Sequence, residues 1–103
     1  MVRDCLFHLS YYDINQFLIN LSKTNHKYLL TTNHIVEKGF ENTNIITGDF
    51  RIIDLFREPF DFDSKLVKDR VNDFTYVDII KREMILIEKQ DVPTSLPKLL
   101  INQ

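Results

Sequence analysis

Hydrophobic positions between residues 10 and 23 recur with the spacing of a helix. They fall at i, i+3, i+4 and i+7, so their side chains share one face. These positions are Ile14, Phe17, Leu18 and Leu21. Ser10 suits the N-cap, and Asp13, three positions later, suits both a capping box and the positive end of the helix dipole. The pattern predicts a helix over residues 10–23 with one buried face.

Short apolar runs without polar alternation lie on both sides of this helix. Residues 3–14, "RDCLFHLSYYDI", are typical of the end of a buried strand that leads directly into a helix. Residues 27–32, "KYLLTT", are typical of a short strand covered on both faces, as in parallel sheets. Strand, helix and strand within about 30 residues make a βαβ crossover. We therefore expect two parallel neighbouring strands.

The stretch from residue 33 to residue 64 has a different composition. It is rich in Asn, Asp, Thr and Pro, and it holds both glycines, Gly39 and Gly48. Long stretches without regular structure are usually functional or disordered, and five phenylalanines here argue against disorder. We predict a long ordered loop that Pro59 and Phe60 anchor to the core.

Two further strand patterns follow the loop. Residues 65–74 alternate imperfectly, and residues 77–89 have an apolar centre, with turn chemistry at Asn72 and Asp73 between them. We predict an antiparallel hairpin at the end of the parallel sheet. The prolines after residue 91 exclude a central strand there. The domain prediction is therefore residues 1–91, followed by a C-terminal tail over 92–103.

Composition places the 103 residues in the ordinary globular class, with 44% hydrophobic and 27% charged residues. A formal net charge of −2 gives no long-range attraction to nucleic acid or to anionic lipid, so neither is an expected partner. Cys5 is the only cysteine, which excludes an internal disulfide and favours a reducing compartment. With no apolar run long enough to span a membrane and no secretory signal pattern, we expect a cytoplasmic protein.

Four stretches follow one another in a specific order: "RDCLFHLSYYDINQFLINL", "KYLLTT", "NTNIITGDFRIIDLFREPFDF" and "KREMILIEK". This order resembles the C-terminal half of a family of class I S-adenosylmethionine-dependent methyltransferases. The combination "TGDFR" followed by Pro59 and Phe60 favours this family over a generic α/β protein. The resemblance implies the distal half of a Rossmann-like methyltransferase sheet, with a βαβ crossover, a long loop and a C-terminal antiparallel β-hairpin that supplies the sixth and seventh strands.

The resemblance also implies methyl transfer with S-adenosylmethionine as cofactor. Members of the family are expected to bind it through a glycine-rich turn after the first strand, and the two glycines here, nine positions apart in a loop, form no such turn. We therefore expect a partial domain that begins in the middle of the fold and is inactive without a cofactor-binding half. Its unpaired N-terminal strand edge would recruit a complementing chain or a second copy. The alternative is a non-catalytic remnant or interaction module that pairs through this exposed edge.

The position of residues at the carboxyl end of the first strand makes Arg3, Asp4 and His8 candidates for contacting substrate or cofactor. Asp4 can accept a hydrogen bond from a substrate amine or hydroxyl, and His8 can act as a base. The alternative is that Asp4 caps a turn and His8 packs beside the helix. Cys5, between apolar neighbours, is expected to be a small buried hydrophobe rather than a nucleophile.

Within "TGDFR", Asp49 and Arg51 are candidates for a loop that folds over the substrate, with Gly48 allowing the bend. The alternative is a surface turn that an internal ion pair closes. No catalytic residue is assigned. The histidines His8, His26 and His34 lack the tight spacing of metal ligands, so we predict no metal site.

Overall fold

The computed structural model describes residues 2–4, 6–72 and 80–96, with residues 2–4 described as backbone only. The helix and strands are β1 (Val2–Asp4), α1 (Tyr11–Ser22), β2 (Tyr28–His34), β3 (Val67–Asn72) and β4 (Arg82–Glu88). Short 3₁₀ turns lie at Leu6–His8, Ser64–Leu66 and Lys89–Asp91. The described part of the chain is thus an α/β arrangement of one α-helix and one sheet.

The sheet has four described strands in the order β1-β2-β4-β3. Strand β1 is parallel to β2, with Arg3 opposite Leu30. Strand β4 is antiparallel to both of its neighbours, and its Ile85 lies opposite Thr31 of β2. The predicted parallel pair and the predicted antiparallel hairpin are both confirmed. The predicted turn reaches Asp73, which lies outside the described residues.

Helix α1 begins and ends within one residue of the predicted limits. Ser10 is the N-cap in an extended conformation, and its Oγ accepts from the backbone N–H of Asp13 at 3.1 Å. Three residues of the predicted apolar face, Ile14, Leu18 and Leu21, are at most 4% exposed, and the fourth, Phe17, is partly buried against the core. The helix is therefore held by a local cap at its start and by burial of one face.

The long loop between β2 and β3 forms part of the core, as predicted. Four of its side chains belong to the main buried cluster together with those of α1, β2 and β4: Ile53, Leu55, Phe60 and Phe62. Phe60 is 1% exposed and meets the ring of Tyr11 edge-on at 5.4 Å. Pro59 is also buried, which confirms that Pro59 and Phe60 anchor the loop.

Within the loop, side chains make the hydrogen bonds to backbone groups that a neighbouring strand would make in a sheet. The Nδ2 of Asn42 donates to the carbonyls of Asp54 and Glu58 at 2.8 Å each, while its Oδ1 accepts from the N–H of Asp54 at 2.9 Å. Arg57 donates from Nε to the Asp54 carboxylate at 2.9 Å and from Nη1 to the carbonyl of Phe40 at 2.9 Å. Buried backbone groups need such partners, so the loop is ordered without regular structure.

The segment that follows β4 packs against α1. Val92 and Leu96 are at most 5% exposed, and the N–H of Leu96 donates to Oδ1 of the buried Asn15 at 2.8 Å. Residues 97–103 lie outside the described residues, so the predicted boundary of the tail at residue 92 stays a prediction. No helix in the described ranges is long and apolar enough to span a membrane.

Candidate functional site at the carboxyl ends of β1 and β2

The TGDFR segment, residues 47–51, docks on the 3₁₀ turn that follows β1. The N–H of Gly48 donates to the carbonyl of His8 at 2.9 Å, and the N–H of Arg51 donates to the carbonyl of Phe7 at 3.4 Å. Gly48 has φ +104°, a conformation that residues with a side chain rarely adopt. The bend that glycine was predicted to allow is therefore present, and it joins two segments about 40 residues apart in the chain.

The ring orientation of His8 is set by this docking. Its Nδ1 lies 2.9 Å from the backbone carbonyl of Asp49. A carbonyl oxygen only accepts, so Nδ1 carries a proton, and in the neutral ring Nε2 keeps its lone pair. Because His8 is exposed, Nε2 can accept a proton or a hydrogen bond from a ligand. Asp49 contributes its backbone carbonyl to this contact, and the residue itself is exposed.

Four rings form a cluster beside this turn, here called the ring cluster: Phe7, His8, His34 and Phe50. Phe7 lies 4.4 Å from His8, 5.3 Å from His34 and 5.6 Å from Phe50, measured between ring centroids. Phe50 also approaches both histidines within 6.0 Å. It is 48% exposed, so one of its faces or edges is available to a planar ligand.

His34, the last residue of β2, is the buried member of the ring cluster. It is 2% exposed, and its Nδ1 accepts from the backbone N–H of Ile53 at 3.0 Å, which requires an unprotonated nitrogen. Burial lowers the pKa of His34 below its usual value; the hydrogen bond with the backbone of Ile53 opposes this shift in part, and the cations Arg82 and Arg51 add to it. The ring is therefore neutral at physiological pH.

Arg51 lies beneath the same surface and is only 6% exposed. Its Nη1 donates to the carbonyl of Leu9 at 2.5 Å and of Phe7 at 3.3 Å, and the guanidinium lies 5.7 Å from the ring centroid of Tyr11. Its Nε and Nη2 are buried and have no hydrogen-bond partner within the described residues. Burial lowers the pKa of Arg51, and Tyr11 opposes this shift. In the described part of the chain no ion pair joins Arg51 to Asp49, so the predicted alternative of a turn closed by that pair is absent there.

The loop also caps α1, which the sequence analysis missed. The N–H of Ser10 donates to Oγ1 of Thr47 at 2.9 Å, and the Thr47 hydroxyl in turn donates to the carboxylate of Asp13. The N–H of Tyr11 donates to Oδ1 of Asn44 at 2.8 Å. Thr47 therefore links the backbone N–H of Ser10 to the side chain of Asp13, two groups that would bond each other directly in a capping box.

The structure brings three of the predicted site residues together, namely His8, Asp49 and Arg51. Arg3 and Asp4 lie in β1, which ends close to these three residues. The structure describes only the backbone of Arg3 and Asp4, and Cys5 lies outside the described residues. The candidates named from the sequence did not include His34. The predicted strand stopped at residue 32, two residues short of it, so the positional rule for strand ends did not reach it.

The three histidines do not converge. His26 precedes β2, whereas His34, eight residues later, ends the strand, and its ring and that of His8 both contact Phe7. Among the described residues, no group of three or more His, Cys, Asp and Glu side chains is arranged to hold a metal ion.

Comparisons with models of protein families, with curated proteins and with solved structures found no match to this chain. The functional assignment depends on the residues and geometry of the chain itself.

Proposed function

We propose that this chain is the distal half of an S-adenosylmethionine-dependent methyltransferase-like domain, which acts only with a cofactor-binding half supplied by another polypeptide segment. The observation that carries the proposal is the strand order. A parallel pair, β1 and β2, is followed across the sheet by an antiparallel hairpin whose second strand, β4, lies between β2 and β3. The resemblance implies a parallel pair of strands and a C-terminal antiparallel hairpin, and these described strands fit that expectation.

The position of the candidate site supports the same proposal. In open α/β sheets, ligands bind outside the carboxyl ends of the parallel strands. The ring cluster, His8 and the TGDFR segment lie at that end of β1 and β2. His8 would offer Nε2 to a substrate proton, and Phe50 would offer an apolar surface. Methyl transfer is mainly an in-line displacement, so such a site would contribute alignment and exclusion of water.

The cofactor would have to be held elsewhere. Gly39 and Gly48 are the only glycines among the 103 residues, and both lie in the loop after β2 with positive φ. Neither follows a strand in the way that a phosphate- or nucleoside-binding turn requires. We expect no tight binding of S-adenosylmethionine by this chain alone.

The test is a titration of the ¹⁵N-labelled 103-residue chain with S-adenosylhomocysteine, followed by NMR. We expect weak binding, in the millimolar range, that shifts the amides of His8, Gly48 and Phe50, because this half supplies only part of the site. Micromolar binding would show that the chain completes a cofactor site by itself, for example as a dimer. Unchanged amides at these residues under saturating ligand would overturn the proposal.

A matched pair of variants separates the site from the rest of the surface. Phe50→Ser removes a half-exposed ring from the ring cluster, and Val71→Ser removes an exposed apolar side chain from β3. We expect F50S to abolish the shifts and V71S to leave them unchanged. Equal loss in both variants would indicate nonspecific contact of the ligand with apolar surface.

The alternative function, an interaction module, is favoured by one observation. Strand β1 is an edge of the sheet and, in the described part of the chain, pairs only with β2. The opposite edge, β3, carries Lys68, Asp69 and Arg70, and charged edges disfavour further pairing. Sedimentation equilibrium of the purified chain tests this function. A dimer in the absence of any ligand favours pairing through β1, and a monomer at all concentrations counts against it.

A further inference from the structure

His8 and Phe50 are the exposed members of the ring cluster. Phe50 is 48% exposed, whereas His34 in the same cluster is 2% exposed. The ring centroids of His8 and Phe50 lie 6.0 Å apart at an interplanar angle of 59°. The half-buried ring of Phe7 contacts both. An imidazole and a phenyl ring therefore adjoin each other on the surface of the molecule, close enough for one small ligand to touch both.

The His8 ring presents one hydrogen-bonding atom to such a ligand. Nδ1 donates to the backbone carbonyl of Asp49 at 2.9 Å, so Nε2 of the neutral ring is an acceptor. Among the described residues, Nε2 has no hydrogen-bond partner. A ligand that bonds to this atom has to supply the proton.

The charges beside these rings do not favour an anion. Asp49 is an exposed acidic residue. Arg51, the only Lys or Arg in the ring cluster and the TGDFR segment, is 6% exposed and donates to the carbonyls of Phe7 and Leu9. The exposed ring of Phe50 adds an apolar surface on which another aromatic ring packs well. These features fit an uncharged aromatic ligand that carries a hydrogen-bond donor.

We propose that His8 and Phe50 bind a phenol, with its ring packed against Phe50 and its hydroxyl donating to Nε2 of His8. A phenol has one planar apolar ring and one O–H donor, and it stays uncharged near neutral pH because its pKa is about 10. Two sources supply this group: a small aromatic molecule, and the tyrosine side chain of a polypeptide. The role of the phenol as a substrate rests on the proposed function, whereas its binding does not.

The test compares p-cresol with 4-methylanisole, which has the same ring but a methylated hydroxyl. Each is titrated at about pH 8, where an ordinary histidine is neutral, into the ¹⁵N-labelled chain. The readouts are the backbone amide of Phe50 and the side-chain nitrogens of the histidines. We expect p-cresol to bind in the millimolar range and to shift the Phe50 amide and Nε2 of His8. The nitrogens of His26, which is exposed before β2, should not shift.

Two analogues and a pair of variants define the site. We expect 4-methylanisole, which lacks the donor, and 4-methylbenzoate, which is an anion without a proton to donate, to bind about fivefold or more weakly than p-cresol. His8→Phe keeps a ring beside Phe7 and removes Nε2, so H8F should bind p-cresol and 4-methylanisole equally. His26→Phe is the matched control and should keep the preference for p-cresol.

N-acetyltyrosinamide distinguishes the two sources of the phenol. Binding as tight as that of p-cresol identifies a tyrosine side chain, and weaker binding identifies a small aromatic molecule.

Three results overturn the proposal: equal affinity of the wild type for p-cresol and 4-methylanisole, tighter binding of 4-methylbenzoate than of p-cresol, or p-cresol binding that leaves Nε2 of His8 unshifted. All three are read on the unaltered protein, so they decide even where H8F fails to fold. The p-cresol titration contains no S-adenosylhomocysteine. Phenol binding can therefore fail while the proposed methyltransferase function stands, and the reverse result is equally distinct.

Discussion

His34 shows how burial of one side chain makes the whole fold sensitive to acid. Its pKa is lowered in the folded protein, so the unfolded chain takes up a proton first as the pH falls. The stabilisation by neutral His34 is fully present above the unfolded value of about 6.5 and is lost as the pH falls below it. We expect the free energy of unfolding, measured by urea titration from about pH 8 to about pH 5, to fall over this range and to fall less in His34→Gln.

The comparison needs a second histidine variant. Gln at position 34 can still accept the hydrogen bond from Ile53, so H34Q removes the titration and keeps the acceptor. His26 is exposed and stands before β2, so His26→Gln measures the background of removing a histidine. If H34Q and H26Q change the pH slope equally, His34 is not the group responsible.

Only some of the individual residues of the candidate site could be predicted from the sequence. His8, Asp49 and Arg51 could be singled out as candidates because strand ends and glycine bends are visible in the sequence. The partners of Arg51 were not, because the carbonyls of Phe7 and Leu9 carry no side-chain signal. That Arg51 is buried rather than exposed depends on how a distant segment docks, and no local pattern encodes that.

Among the elements, α1 depends on the loop for part of its N-terminus. Thr47 accepts from the N–H of Ser10 and donates to Asp13, so Thr47→Val removes both hydrogen bonds while keeping the volume. We expect T47V to lower the free energy of unfolding by about 1 kcal/mol, the usual cost of losing a cap. Thr47→Ser keeps the hydroxyl and should remain close to the wild type in a urea titration. Equal stability of T47V and T47S would show that the Thr47 hydroxyl does not stabilise the start of α1 through Ser10 and Asp13.

Asn42 has the corresponding role inside the loop. It makes three hydrogen bonds to the backbone of Asp54 and Glu58, and its removal leaves partly buried groups without partners. We expect Asn42→Ala to cost about 2–3 kcal/mol in the free energy of unfolding. Asn25→Ala, at an exposed position before β2, is the control and should be within about 0.5 kcal/mol of the wild type. A loss below 1 kcal/mol in N42A would show that water replaces these bonds.

The regular elements were predictable because each has a local hydrophobic pattern, periodic in α1 and a continuous apolar run in β2 and β4. The i, i+3, i+4 pattern found α1, and the apolar runs found β2 and β4 to within a few residues. The loop has no period. Its conformation is set by single side chains such as Asn42 and Arg57 reaching backbone groups more than ten positions away, so the sequence indicated that it is ordered but not how it is held.

For the molecule as a whole, the loop belongs to the hydrophobic core that the described helix and strands form, and it is not an independent lid. Phe60 is fully buried against Tyr11, so Phe60→Ala should cost about 3–5 kcal/mol, as large-to-small changes in a core do. Hydrogen exchange then distinguishes a core segment from a lid. The N–H of Phe62, which donates to the carbonyl of Leu55 at 2.8 Å, should exchange only when the strands do.

Phe50→Ala is the matched control, because Phe50 is about half exposed in the same loop. We expect F50A to lose much less stability than F60A. Similar losses in the two variants, or rapid exchange at Phe62 while β2 and β4 stay protected, would show that the loop opens as a separate unit.

The capping of α1 by the loop has a consequence for the order of events during synthesis. The ribosome makes α1 first, and the partners of its first N–H groups, Asn44 and Thr47, are added more than 30 residues later. Short isolated helices are marginal in water, so nascent α1 is expected to fray at its start until that later segment has emerged. Completion of the helix and closure of the loop then become one folding event, which makes folding slower than the one α-helix among the described residues suggests.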